Sequence, residues 1–164
     1  MIENSLFFAE TDIYDVIRMN GGKWEDKKER PLMCCVASKE NEGLYYAIPL
    51  GCWDHRSSEA KKRITHYLDR PKNDIQSCFY HIGKTDRASI FFISDVIPIT
   101  DKYLKRDYIG LRTKKPYVIK NNMLINELNY KLERILKWEE GRPNYFRQHI
   151  TDVRNYLLNE LESK

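Results

Sequence analysis

Most of the short motifs that mark nucleotide and metal enzymes are missing from this chain. It has no Gly-x-Gly-x-x-Gly, no Walker loop, no His-Glu-x-x-His and no cluster of carboxylates. Those gaps argue against a nucleotide hydrolase and against two-metal nuclease chemistry, which needs several carboxylates close together. The four cysteines, Cys34, Cys35, Cys52 and Cys78, form no Cys-x-x-Cys pair. Neither they nor the histidines have zinc-site spacing, so free thiols, partly in the core, are expected. No apolar run approaches the roughly 20 residues that span a bilayer. Met1-Ile2-Glu3-Asn4-Ser5-Leu6-Phe7-Phe8 lacks the positive segment of a signal peptide. The expectation is a cytoplasmic protein with no metal, no cofactor and no membrane partner. Repeats, low-complexity stretches and long linkers are also absent, which leaves residues 1–164 as one domain.

The composition is that of a globular protein, 41% hydrophobic and 32% charged. A net charge of +4 is a weak pointer to nucleic acid, and its distribution says more. Residues 102–120 carry Lys102, Lys105, Arg106, Arg112, Lys114, Lys115 and Lys120 against Asp107 alone. Residues 52–72 carry Arg56, Lys61, Lys62, Arg63, Arg70 and Lys72 against Asp54, Glu59 and Asp69. A local excess of one sign is what a phosphate-binding face requires. Taken alone, the 102–120 stretch reads equally as a solvated, lysine-rich loop.

Element by element, Leu6-Phe7-Phe8-Ala9 reads as a short strand and Thr11 as the N-cap of a helix stopped by Gly21-Gly22. A charged loop, Lys23 to Arg30, leads into a hairpin of Pro31 to Val36 with Leu44 to Leu50. A basic helix is predicted over Ser58 to Leu68, then strands over Ile75 to Ile82 and Ala88 to Val96. The stretch from Leu104 to Tyr117 is loop-rich. Leu124, Leu128, Leu132 and Ile135 recur at helical spacing up to Gly141. A second helix, with Pro143 at its first position, carries Phe146, Ile150, Val153, Leu157 and Leu161. Together they form a C-terminal αα-hairpin whose apolar stripes need the β-structure as partner. The fold class is α+β.

The chemistry is concentrated in Gly51-Cys52-Trp53-Asp54-His55-Arg56-Ser57-Ser58, where a strand gives way to the basic helix. An imidazole, a guanidinium, two hydroxyls and the first helical amides converge there, a set suited to a phosphate. His81, beside Phe79 by alternation, is either a second proton-transfer group or a half-buried structural histidine. His66 reads as helix surface and His149 as structural. Cys52 as a thiolate nucleophile is the weaker alternative to a packed cysteine. A basic, metal-free site with an imidazole suits RNA cleavage by its own 2′-OH, which needs a base, an acid and cations for the phosphorane charge.

The pattern resembles the toxin endoribonucleases of type III toxin–antitoxin systems, the ToxN/AbiQ, CptN and TenpN group. The resemblance runs over about residues 28–104. It rests on the charged loop ending in Arg30, on Leu44-Tyr45-Tyr46-Ala47-Ile48-Pro49-Leu50, on Ser77-Cys78-Phe79-Tyr80-His81, and on Ile90-Phe91-Phe92-Ile93-Ser94-Asp95-Val96-Ile97-Pro98-Ile99. It implies an SH3-like β-barrel of the PemK/Kid kind with inserted helices, and a metal-independent endoribonuclease involved in phage defence. It also implies neutralisation by a small repeated antitoxin RNA, with a homo-oligomer assembled through that RNA. Family members carry a lysine at the place of Arg30 and a Thr-Ser pair where this chain has Gly51-Cys52. Arginine is a poor base but holds phosphate charge, which moves acid–base duty to His55, Ser57, Ser58 or His81. On this reading His55 leads, Arg56 and Arg30 hold the scissile phosphate, Ser57 or Ser58 bonds a phosphate oxygen, and Lys61, Lys62, Arg63, Lys114 and Lys115 follow the RNA backbone. The alternatives are a non-catalytic nucleic-acid-binding module and a protein-interaction module.

Overall fold

The computed structural model describes residues 1–25 and 32–164. Arg30 and Pro31 lie outside the described residues. The architecture is α+β, one antiparallel sheet of seven strands with four α-helices among the described residues.

Strand β1 (Leu6–Ala9) leads to helix α1 (Asp12–Met19), whose Ile13, Tyr14, Val16 and Ile17 are buried. Strands β2 (Leu32–Ala37) and β3 (Tyr45–Cys52) form the expected hairpin, in register from Leu32↔Leu50 to Ala37↔Tyr45. The run Tyr46 to Leu50 is buried at every position, so this part of the sheet is covered on both faces. Helix α2 (Ser58–Leu68) has the predicted bounds. Ser57 Oγ caps it by accepting from Ala60 N at 3.1 Å, satisfying a helix-head amide that has no partner in its own helix.

The single strand expected over Ile75 to Ile82 is two elements. Ile75–Cys78 is a 3-10 turn and strand β4 is Tyr80–Lys84. Asp74 makes the difference: its Oδ1 accepts from Gln76 N, and Ser77 Oγ returns a bond to Asp74 O. These local bonds compete with strand pairing. The expected strand from Ala88 to Val96 also divides, into β5 (Ala88–Phe92) and a 3-10 turn at Ile93–Asp95. It is followed by β6 (Ile97–Ile99). Both flank the same edge of β3, β5 at Leu50 to Cys52 and β6 at Tyr45 to Ala47. The break is satisfied from outside the strand, because the Gln148 amide donates to Ser94 O and Val96 O, each at 2.8 Å.

Strand β7 (Leu104–Asp107) emerges from the basic stretch and pairs with β1. The sheet order is then β4-β5-β3-β2-β1-β7, with β6 beside β3. The sheet is open between β4 and β7, and a side chain crosses the gap: Asp86 Oδ2, in the β4–β5 turn, accepts from Leu111 N at 2.8 Å and from Tyr108 Oη at 3.2 Å.

Helix α3 (Asn122–Gly141) buries the predicted stripe of Leu124, Leu128, Leu132 and Ile135. Helix α4 is Ile150–Glu162, starting later than the sequence indicates. Asn144 and His149 are left-handed, at φ 59° and 55°, and Asn144 Oδ1 bonds Asp152 N. Phe146 is therefore buried from the connection, not from the helix. Ile150, Val153 and Leu157 complete the core. No helix is long and apolar enough to cross a membrane among the described residues.

Candidate nucleic-acid interface

Register decides which candidates share a surface. Gly51 pairs with Ile90, and Ile90 with Ile82; Phe92 pairs with Tyr80. By alternation these five residues lie on one face of the sheet. Leu50, Phe91 and His81 form the adjacent cross-strand row and lie on the other.

The Gly51 face carries the junction. Trp53 N donates to Ala88 O at 2.9 Å and Arg56 N to Trp53 O at 3.1 Å, a tight turn that delivers the chain into α2. The turn folds the Arg56 side chain back over Gly51. A Cβ at position 51 would overlap Arg56 Nη2, so a side-chain-free residue is what lets the guanidinium settle there. Its Cζ lies 5.1 Å from the centroid of Phe92, within cation–π range. Behind Phe92, the rings of Tyr80 and Tyr67 follow at 6.0 and 5.6 Å. Burial raises the pKa of the Tyr80 phenol, assisted by Asp95, while Arg63 pulls it the other way.

Arg56 makes no ion pair among the described residues, and its Nε is buried with no hydrogen-bond acceptor. An unmet buried donor costs about 1–3 kcal/mol, and such groups in native structures call for an explanation. With no carboxylate partner among the described residues, the half-exposed guanidinium can meet an anion through its terminal nitrogens. Helix α2 adds its positive end at the same place. Ser57 is committed to the cap, whereas Ser58 and His55 are exposed and make no hydrogen bond through their side chains among the described residues. Lys61 Nζ sits 5.4 Å from the Trp53 ring centroid, and Lys62 and Arg63 are exposed on the next turn of α2.

His81 does not join this group. It faces helix α3, where burial, and after it Lys131, depress its pKa to about 4; Glu127 acts the other way. Strand β5 separates its strand from β3. Of the sequence candidates, then, His55, Arg56, Ser57, Ser58, Lys61, Lys62 and Arg63 cluster around the junction and His81 lies across the sheet. Arg30 falls outside the described residues. Cys52 shares the face of Leu50, away from Arg56. Lys114 and Lys115 are exposed on the far side of the Asp86 bond.

Sequence reading missed Gly51 as the seat of Arg56, Phe92 as its ring, and Asp86 as the link to the second basic stretch. Alternation within each strand was visible, but the register between β3 and β5 was not. Three cavities lie away from the junction, one of about 410 Å³ beside Lys102, Tyr156 and Glu160. One of about 300 Å³ opens between the β2–β3 hairpin and helices α3 and α4, and one of about 320 Å³ lies beside Cys78, Lys131 and Tyr130. An open cationic surface suits a polymer better than an enclosed small molecule.

Among the described residues no group of histidine, cysteine, aspartate and glutamate side chains could hold a metal ion. No known family model matches the chain, and no curated protein matches it in sequence.

Proposed function

We propose that this protein is a metal-independent endoribonuclease of the type III toxin kind, acting on RNA at the Gly51–Ser58 junction. Its sheet is on this reading an SH3-like barrel of the PemK/Kid kind, left open between β4 and β7. The observation that carries the reading is the Arg56 guanidinium, seated on Gly51 and Phe92 with no carboxylate partner among the described residues, at the head of α2 and next to exposed His55.

In the reaction, the 2′ oxygen of a ribose attacks the adjacent phosphorus, the P–O2′ bond forms and the P–O5′ bond breaks. The products are a 2′,3′-cyclic phosphate and a free 5′-hydroxyl. His55 takes the proton from the 2′-OH. Arg56 and the amides at the head of α2 stabilise the charge that gathers on the phosphorane oxygens. His81 has no place in the step, so protonation of the leaving oxygen falls to solvent or to imidazolium His55 itself. The basic surface of α2 holds the flanking phosphates. A small repeated RNA that fills the same surface would neutralise the protein and link copies of it in an oligomer, in the cytoplasm.

The test is incubation of labelled mixed-sequence RNA in excess EDTA with the protein and with His55→Ala. Cleavage leaving cyclic phosphate ends, reduced about 10²–10⁴-fold in the variant, supports the reading. A second reading, a non-catalytic RNA-binding module, is favoured by the register that puts His81 on the opposite face of the sheet, which removes the second proton-transfer candidate from the junction. Intact RNA that is still retarded in a gel selects it and removes the nuclease.

A further inference from the structure

The segment after β7 is a built arm. Tyr117 N donates to Tyr108 O, Gly110 N to Lys115 O and Lys114 N to Gly110 O, at 2.9, 2.9 and 3.1 Å, and Ile109 bridges Pro116. The Tyr108 and Tyr117 rings pack edge to face at its base. Lys114 is left-handed, at φ 56°, which a tight reversal requires and a lysine rarely adopts. The arm projects Arg112, Lys114 and Lys115, all exposed and with no ion pair among the described residues, and it has no carboxylate of its own.

Just before these cations in the chain, Ile109 is 48% exposed and Leu111 52%. Single exposed apolar residues are ordinary. An apolar side chain on the same hydrogen-bonded reversal as three cations that make no ion pair among the described residues is a more specific arrangement. Its position is also set: Asp86 Oδ2 holds Leu111 N and Tyr108 Oη. Asp86 belongs to the turn that runs into Ala88, and Ala88 O holds Trp53 N. One turn therefore references both the arm and the Arg56 junction.

We propose that the arm formed by residues 108–117, positioned by Asp86, grips single-stranded RNA beside the junction, with Arg112, Lys114 and Lys115 against phosphates and Leu111 against an unstacked base. Charge complementarity selects a polyanion, and exposed base faces select a single strand over a duplex. Asp86 is a positioning residue: it touches no RNA and acts through the Leu111 amide. The choice of RNA rests on the function proposed above; the grip itself is separable from cleavage.

The experiment measures affinity for a labelled, 2′-O-methylated single strand that cannot be cleaved, across a salt series. Lys114→Glu with Lys115→Glu should weaken binding at least about tenfold and lower the salt slope by roughly 1.4, the contribution of two phosphates on a single strand. Leu111→Ser should weaken it about fivefold without changing the slope, as loss of a partly buried apolar contact that carries no charge does. Asp86→Ala should match the lysine pair, whereas Asp86→Asn, whose amide oxygen still accepts both bonds, should bind as the parent does. Parent-like affinity and slope in the lysine pair and in Leu111→Ser would overturn the grip even if ordinary RNA is cleaved. So would preference for anionic vesicles over RNA, or no binding by the parent chain. Binding that depends on the arm, with ordinary RNA left intact, supports the grip and removes the nuclease.

Discussion

The two faces of the β4–β5 hairpin are made by alternate residues of the same strands, yet they hold opposite kinds of polar group. On one, Tyr80 and Phe92 underlie a guanidinium that has no carboxylate partner among the described residues, beside a histidine with its ring in solvent. On the other, His81 is pressed against α3 beside Lys131, whose Nζ is already committed to Tyr80 O at 2.8 Å and whose pKa is lowered by burial. Both faces bring histidine and basic side chains together. Only the first leaves them available, because α2 buries a narrow stripe, with Ile64 alone fully covered, while α3 covers its face with four aliphatic residues. Proximity of chemically suggestive residues is thus not the discriminating feature; unspent hydrogen-bonding capacity is.

The comparison breaks most sharply at Gly51. Gly51→Ala puts a methyl where the Arg56 guanidinium sits, and the flexible end of that side chain is what must move. We expect RNA cleavage to fall about 10²-fold, as for loss of one preorganised charge-stabilising donor, with thermal stability nearly unchanged. Unaltered cleavage in this variant would show that the Arg56 seat plays no part.

His81 tests the opposite face. Its folded pKa, about 4, lies below the ordinary value of 6.5. Between these values the unfolded chain binds more protons, so stability declines as the pH falls from about 6.5 and levels off below about 4. For a half-buried ring partly screened by solvent the loss is on the order of 2 kcal/mol. His81→Gln should flatten that limb in urea titrations at pH 7 and 4.5. An unchanged limb in His81→Gln would contradict the assignment.

The smallest effect is expected at the cap that aims α2. Ser57→Ala removes the acceptor for Ala60 N and should cost about 1 kcal/mol, with faster amide exchange in the first turn of α2. If exchange there is as slow as in the parent, the cap contributes nothing measurable.

Legibility followed the range of the forces involved. Helices α2 and α3 were readable because their signals lie within one segment, a basic run from Ser58 to Leu68 and an apolar period from Leu124 through Ile135. The 3-10 turn at Ile75–Cys78 was hidden although its cause is local, because Asp74 and Ser77 act by hydrogen bonds that hydrophobic periodicity does not register. The split between β5 and β6 was not readable, since it depends on Gln148 reaching residues some fifty positions away, and the late start of α4 was hidden because left-handed Asn144 and His149 leave no trace in hydrophobic periodicity. At the candidate site, the residues of the junction were found from their spacing along the chain. Their separation from His81 was not, because one register fact, Leu50 opposite Phe91, sets the faces.

What the amino-acid sequence alone determined is the inventory: an α+β chain, two basic stretches, and a strand-to-helix junction bearing His55 and Arg56. Those properties follow from composition and from contacts within a few residues. Only the tertiary structure decided which groups are unspent, by seating Arg56 on Gly51, turning His81 to α3, and tying the second basic stretch to the sheet through Asp86. Each of those outcomes is a choice between partners distant in the chain, and it is made by packing and register, where a shift of one residue exchanges the two faces.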